Sequence, residues 1–131
     1  MDFDQKRRQL FVACENHELI SMDIRSGQVS LIGKVMDGPG DLRFDRRHHL
    51  IFVANGAGEL GIFSRKNAFE HTKLQEISTL MGAHTMAIDG DKTKIYLVTA
   101  QFGQRTGNVS EELRFRPTPV PGTFTVIVVT R

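Results

Sequence analysis

The chain has 131 residues, 40% hydrophobic and 24% charged, with 17 Lys and Arg against 15 Asp and Glu. That length suits a single domain with a real core and argues against disorder, while the even charge argues against a dedicated nucleic-acid or membrane-surface protein. The single cysteine, Cys14, excludes an internal disulfide and a multi-cysteine zinc site.

The start, Met1-Asp2-Phe3-Asp4-Gln5-Lys6, contains no apolar stretch of the kind a secretory signal needs, so no signal peptide is expected. In chain order, the first recognisable unit is Phe3-Asp4-Gln5-Lys6-Arg7-Arg8-Gln9-Leu10-Phe11-Val12-Ala13. It aligns without gaps with Phe44-Asp45-Arg46-Arg47-His48-His49-Leu50-Ile51-Phe52-Val53-Ala54, and again with Ile88-Asp89-Gly90-Asp91-Lys92-Thr93-Lys94-Ile95-Tyr96-Leu97-Val98. Asp4, Asp45 and Asp89 recur 41 and then 44 residues apart, inside the period of propeller blades. The match continues outward. Gly38-Pro39-Gly40-Asp41-Leu42-Arg43 aligns with Gly82-Ala83-His84-Thr85-Met86-Ala87, and Glu18-Leu19 aligns with Glu59-Leu60.

Each unit reads as four short strands, which in the second are A about 42–45, B about 50–54, C about 60–64 and D about 73–79. The B strands, 10–13, 50–54 and 95–98, are apolar at successive positions, a pattern that predicts burial on both faces. β-Branched and aromatic residues in runs of four to six, punctuated by Ser26-Gly27, Gly38-Pro39-Gly40 and Asn55-Gly56-Ala57-Gly58, disfavour helix. The expected fold is therefore all-β, an incomplete β-propeller of about three four-stranded antiparallel blades in one domain. Blade 1 covers about 1–39, blade 2 about 40–83, and blade 3 about 84–131 with an insertion at 101–122. The chain opens part-way through a strand A and closes after strand C of the third unit, 123–129, so the last blade lacks its outer strand. Closed propellers have four to eight blades. The expectation is that the chain pairs with copies of itself or is the C-terminal piece of something longer.

The units resemble the YVTN-type β-propeller repeat, whose strand-B tetrapeptide stands here as Phe11-Val12-Ala13-Cys14, Phe52-Val53-Ala54-Asn55 and Tyr96-Leu97-Val98-Thr99. The stretch Ser21-Met22-Asp23-Ile24-Arg25-Ser26-Gly27-Gln28-Val29 is similar to strand C, turn and strand D of that repeat. Gly82-Ala83-His84-Thr85-Met86-Ala87-Ile88-Asp89 and Pro121-Gly122-Thr123-Phe124 look like the closing blade of bacterial members. The resemblance implies the fold and no catalytic residue. Full-length members are longer and often exported, so it implies a periplasmic or extracellular setting for them, without fixing a compartment for this chain.

Three copies of one aspartate argue for scaffold, because an active site needs one constellation; an Asp opening a turn accepts backbone N–H groups two residues on. Lys6, Arg7, Arg8, Arg46, Arg47, Lys92 and Lys94 fall in the A–B turns, which a propeller gathers on one face, where they would attract polyanions. Interleaved acids and the lack of aromatic residues among them favour plain solvated turns over nucleic-acid binding.

The opposite face carries the D–A and B–C loops, with Asp41, Arg43, Asn55, His84 and Gln101 as candidate ligand-binding residues. His84 has no partner at metal-ligand spacing, and adjacent His48 and His49 cannot chelate together from a strand. Cys14, three residues from His17, reads as a small buried side chain rather than a nucleophile. The insertion, with Pro117, Pro119 and Pro121 and the basic Arg114-Phe115-Arg116, is either a contact loop or a substitute outer edge; Asn108-Val109-Ser110 fits a glycosylation acceptor. No catalytic residue, metal site or cofactor is expected. The leading expectation is a non-enzymatic binding or scaffold module for a protein or small ligand, possible as a homo-oligomer and without a membrane span. The alternatives are part of a lactonase-like hydrolase completed by oligomerisation, or weak polyanion binding through the basic turns.

Overall fold

The computed structural model describes residues 1–91, 94–103 and 117–130. Every regular element among them is a strand. β1 (Asp2–Asp4), β2 (Gln9–Ala13), β3 (Glu18–Asp23) and β4 (Val29–Lys34) form the first antiparallel sheet in chain order. A second sheet repeats the meander with β5 (Pro39–Asp45), β6 (Leu50–Asn55), β7 (Glu59–Arg65) and β8 (His71–Ser78). Next come β9 (Thr85–Ile88) and β10 (Lys94–Thr99), a short ribbon of β11 (Phe102–Gly103) with β12 (Thr118–Pro119), and β13 (Thr125–Thr130). The third sheet runs β13-β10-β9, so β13 is its edge among the described residues.

The turn chemistry explains where strands start. Asp4 Oδ1 accepts the N–H groups of Lys6 and Arg7 at 3.1 and 3.3 Å, and Asp45 Oδ1 accepts those of Arg47 and His48 at 2.9 and 3.4 Å. Each of these turns ends on a left-handed residue at the aligned position, Arg8 with φ 55° and His49 with φ 58°. Asp and the residue that closes the turn thus reverse the chain identically in both units. Both histidines of His48-His49 sit in this turn rather than on a strand.

Two apolar clusters hold the sheets together. Phe11 and Leu19 of the first sheet pack against Leu42, Phe44, Ile51, Val53 and Phe63 of the second. On the second sheet's other face, Phe52, Ala54, Leu60 and Ile62 pack against Met86, Ile95 and Leu97 of the third. Among the described residues the second sheet is therefore covered on both faces, and β6 is buried at every position after Leu50. The same two-faced burial expected for all three B strands does not hold in β2 and β10, where burial alternates. Their outer faces have no sheet against them among the described residues, so alternate side chains meet water.

Lys92, Arg131, Arg114-Phe115-Arg116 and Asn108-Val109-Ser110 lie outside the described residues. No helix among the described residues is long and apolar enough to cross a membrane.

Candidate functional site

Asp41, Arg43 and His84 come together where β5 of the second sheet meets β9 of the third. The Asp41 N–H donates to the His84 carbonyl at 2.7 Å. Its carboxylate Oδ2 accepts from Arg43 Nη2 at 3.0 Å and from the Met86 N–H at 3.2 Å. Asp41 is thus half-buried with its charge already engaged, and it ties the two sheets edge to edge. Gly40 makes this approach possible: a Cβ there would lie 2.3 Å from the His84 carbonyl oxygen. Asp2 performs the same service one sheet earlier, its Oδ2 accepting the Phe44 N–H at 2.7 Å. Carboxylates on inner strands therefore satisfy the backbone donors of the next inner strand, which no neighbour in the same sheet can reach.

Asn55 is fully buried, its Nδ2 donating to Glu59 Oε1 at 3.3 Å, so its side chain packs the B–C connection out of reach of solvent. Gln101 stays exposed; its N–H donates to Thr123 Oγ1 at 3.0 Å and its carbonyl accepts from the Val120 N–H at 2.8 Å.

Gln101 borders a groove of about 930 Å³ lined by Leu80, Met81, Thr99, Phe102 and Phe124 among others. It lies at the end where the D–A connection and the end of the third B strand meet. Its floor is rigid. Thr99 Oγ1 donates to the Met81 carbonyl at 2.7 Å, and Thr123 Oγ1 donates to the Val120 carbonyl at 2.6 Å. Gly82, at φ 77°, is required here because a Cβ would stand 2.7 Å from the Phe102 ring. Met81 and Phe124 are 77% and 70% exposed, far more than large apolar side chains need to be. His84 borders an adjoining hollow of about 400 Å³ that shares Phe102 and Phe124 with the groove. Sequence reasoning placed Gln101 and His84 on this face but missed Leu80, Met81, Phe102 and Phe124. Exposed apolar residues at a D–A corner carry no periodic signal.

Two of the basic turn residues are engaged locally. Arg46 Nη2 donates to the Phe3 carbonyl at 3.0 Å, and Arg7 pairs with Asp4 at 3.6 Å. Lys6, Arg8, Arg47 and Lys94 are exposed. A small hollow beside Arg46 and Arg47 is also lined by Asp2 and Asp45, so the local charge is mixed.

Two ionic groups that the sequence did not single out lie between the first and second sheets. Arg65 Nη1 donates to Asp4 Oδ2 at 2.7 Å with both side chains buried, and its guanidinium lies 5.5 Å from the Phe44 ring centre. Burial works to raise the Asp4 pKa, yet the Arg65 hydrogen bond and the Arg7 N–H hold it below the ordinary 3.8. Asp45 is lowered in the same way: burial opposes, while His48 and two turn amides prevail. His71 Nδ1 and Nε2 have no hydrogen-bond partner among the described residues. Burial, then Arg65, pushes the His71 pKa below 6.5. His17 Nδ1 meets Asp37 at 3.1 Å, which engages the ring that lies nearest Cys14 in sequence. No three His, Cys, Asp or Glu side chains converge to hold a metal among the described residues.

The same chain path occurs in a known structure. A crystal structure of a proposed 6-phosphogluconolactonase from Bacteroides uniformis superposes with a TM-score of 0.63 at 13% identity. The likeness is one of fold. It covers 98% of this chain but 42% of the neighbour, so the chain spans less than half of that protein's length. No family model and no curated protein matches the sequence. The all-β arrangement of consecutive antiparallel sheets is consistent with a propeller-like fold.

Proposed function

We propose that the chain is an incomplete propeller of YVTN-like repeats, its three sheets being three blades, that works as a binding module through the groove beside β10. The observation that carries the binding role is the exposed set Leu80, Met81, Phe102 and Phe124 around a concavity with a hydrogen-bonded floor. Apolar walls with a few fixed polar groups suit a small apolar ligand or an apolar side chain of a partner, oriented by the exposed Gln101 amide. Backbone amide shifts under a fragment screen test this. Shifts confined to Gly82, Thr99, Gln101, Phe102 and Thr125, lost in Phe124→Ser, are expected; shifts absent from these residues reject the groove.

A second reading, part of a lactonase-like hydrolase, draws on the fold of the Bacteroides neighbour. Against it, the Asp41 carboxylate is already occupied by Arg43 and the Met86 N–H. Lactone hydrolysis that rises above background and falls in both Asp41→Ala and His84→Ala would restore that reading.

A further inference from the structure

We propose that the seam between the first and second sheets is an acid-released latch, in which a proton taken up by His71 expels its ring and frees the 66–70 turn from Gln9. Both faces of this seam belong to the described residues, and the groove plays no part in it. His71 opens β8, the outer strand of the second sheet, and stands directly across from Arg65 on β7. Its ring meets Phe11 of the first sheet edge-on, with centroids 6.3 Å apart, and the Arg65 guanidinium lies 5.9 Å from the same Phe11 ring. Two polar clasps close the seam here. Arg65 Nη1 donates to Asp4 Oδ2 at 2.7 Å, and Gln9 Nε2 donates to the Ala68 carbonyl at 2.8 Å. Around them Gln9 Oε1, Arg65 Nε and both His71 nitrogens are buried without a hydrogen-bond partner among the described residues.

That surplus of unmet polar atoms makes the seam sensitive to one more charge. A neutral His71 ring leaves one N–H and one lone pair unmet; protonation turns the lone pair into a second unmet donor and adds a full charge. The carboxylates on the surrounding elements are already committed. On β1, Asp4 is held by Arg65, by Arg7 and by two turn amides. Asp23 on β3 caps its own turn, and Asp45 on β5 bonds His48 and two turn amides. His49, beside them, gives its carbonyl to the Arg65 N–H at 2.9 Å. Next to the ring, Glu70 pairs with Lys66 and Lys73 with Glu76, while Lys34 on β4 pairs with Glu18. β2 and β6 carry no charged side chain. Burial, and after it Arg65, disfavours the charged ring. The way out is short. Glu70 and Thr72 on either side are exposed and Phe69 is 62% exposed, so rotation of one side chain at the outer edge of the sheet brings the ring to water. Phe11 then loses its edge contact, and the Gln9 bond is left to hold the 66–70 turn to the first sheet. Water replaces such a neutral bond at little net cost.

Nuclear magnetic resonance spectra of the full chain, followed from about pH 7.5 down to about pH 5, test this. The Phe11–His71 ring contact, read as a nuclear Overhauser effect, should fade as His71 takes up its proton. The Gln9 side-chain amide and the Ala68 and Phe69 signals should move with the same midpoint. The ring binds its proton more tightly outside the seam than within it, so the released fraction should rise as pH falls from about 6.5, by at most about tenfold per unit. Protection of the β10 amides should hold throughout. A charged His71 ring that keeps its contact with Phe11 overturns the latch, as does a ring that stays neutral in the seam down to about pH 5. Loss of the contact only together with β10 protection is unfolding of the whole chain and overturns it too. In His71→Gln and His71→Phe the Gln9 and Ala68 signals should stay fixed over this range. Movement that persists in both variants assigns the proton to another group and removes His71 from the device.

Discussion

Between the first and second sheets, the packing of Phe11 on Leu42 and Phe44 is interrupted by a buried charge pair, Asp4 with Arg65, and by His71, whose ring meets the Phe11 ring edge-on while its nitrogens have no hydrogen-bond partner among the described residues. Between the second and third, Phe52, Ala54, Leu60 and Ile62 meet Met86, Ile95 and Leu97 through apolar side chains, and polar contacts such as Asp41 with Met86 stand beside them. Both interfaces join consecutive repeats, yet they respond to different perturbations. A buried ion pair must keep its geometry, and losing one partner strands the other. An apolar contact loses only area and shape complementarity, and is indifferent to protonation.

The largest expected effect breaks the charged interface. Asp4→Ala should destabilise by about 3–5 kcal/mol in urea unfolding, because it leaves Arg65 buried and unpaired. Replacing both partners, Asp4→Leu with Arg65→Met, should recover the part of that loss due to the stranded Arg65, while the turn amides of Lys6 and Arg7 stay without their acceptor. On the apolar side, Leu97→Ala should cost about 2–5 kcal/mol, with the same loss at neutral and mildly acid pH. Gly40→Ala addresses the backbone contact at the margin of that interface and should cost about 1–3 kcal/mol, since the new methyl meets the His84 backbone. Little change in its urea midpoint would mean that β5 and β9 are free to separate there.

The smallest effect distinguishes the two interfaces by pH. The His71 pKa is lowered in the fold, so the unfolded chain binds the proton first. Stability is full above about pH 6.5 and declines as pH falls from there through the folded pKa. Asp4 contributes in the same direction at lower pH, its stabilisation present above about 3.9 and lost as pH falls through its lowered value. His71→Phe should therefore flatten the urea midpoint between about pH 7 and pH 5. In the wild type, amide protection factors should fall in β1 and β2 across that range while those of β9 and β10 hold. An equal fall in all four strands would remove the distinction between the interfaces.

Much of the architecture was legible because repetition multiplies a weak signal. The aspartates Asp4 and Asp45 announced two turns whose hydrogen bonds are the same, and the apolar runs marked β2, β6 and β10 within a residue or two. Arg65 was not legible: at the end of β7 a charged residue normally meets water, and its partner lies 61 residues earlier in the chain. The groove was half legible. Gln101 and His84 follow from the loop face, but Phe102 and Phe124 reach it only because β11 and β12 bring distant segments side by side.

By itself the sequence determined strand type, turn positions and the order of repeats, since these depend on local chemistry: backbone-capping Asp, glycine at corners, and apolar residues in short runs. Only the tertiary structure decided which faces are covered. The same apolar residue types are buried in β6, which lies between two sheets, and half exposed in β2 and β10, whose sheets each have one neighbouring sheet among the described residues. That difference arises from contacts between repeats, and so did the engagement of Asp41, the burial of Asn55 and the pairing of Asp4 with Arg65.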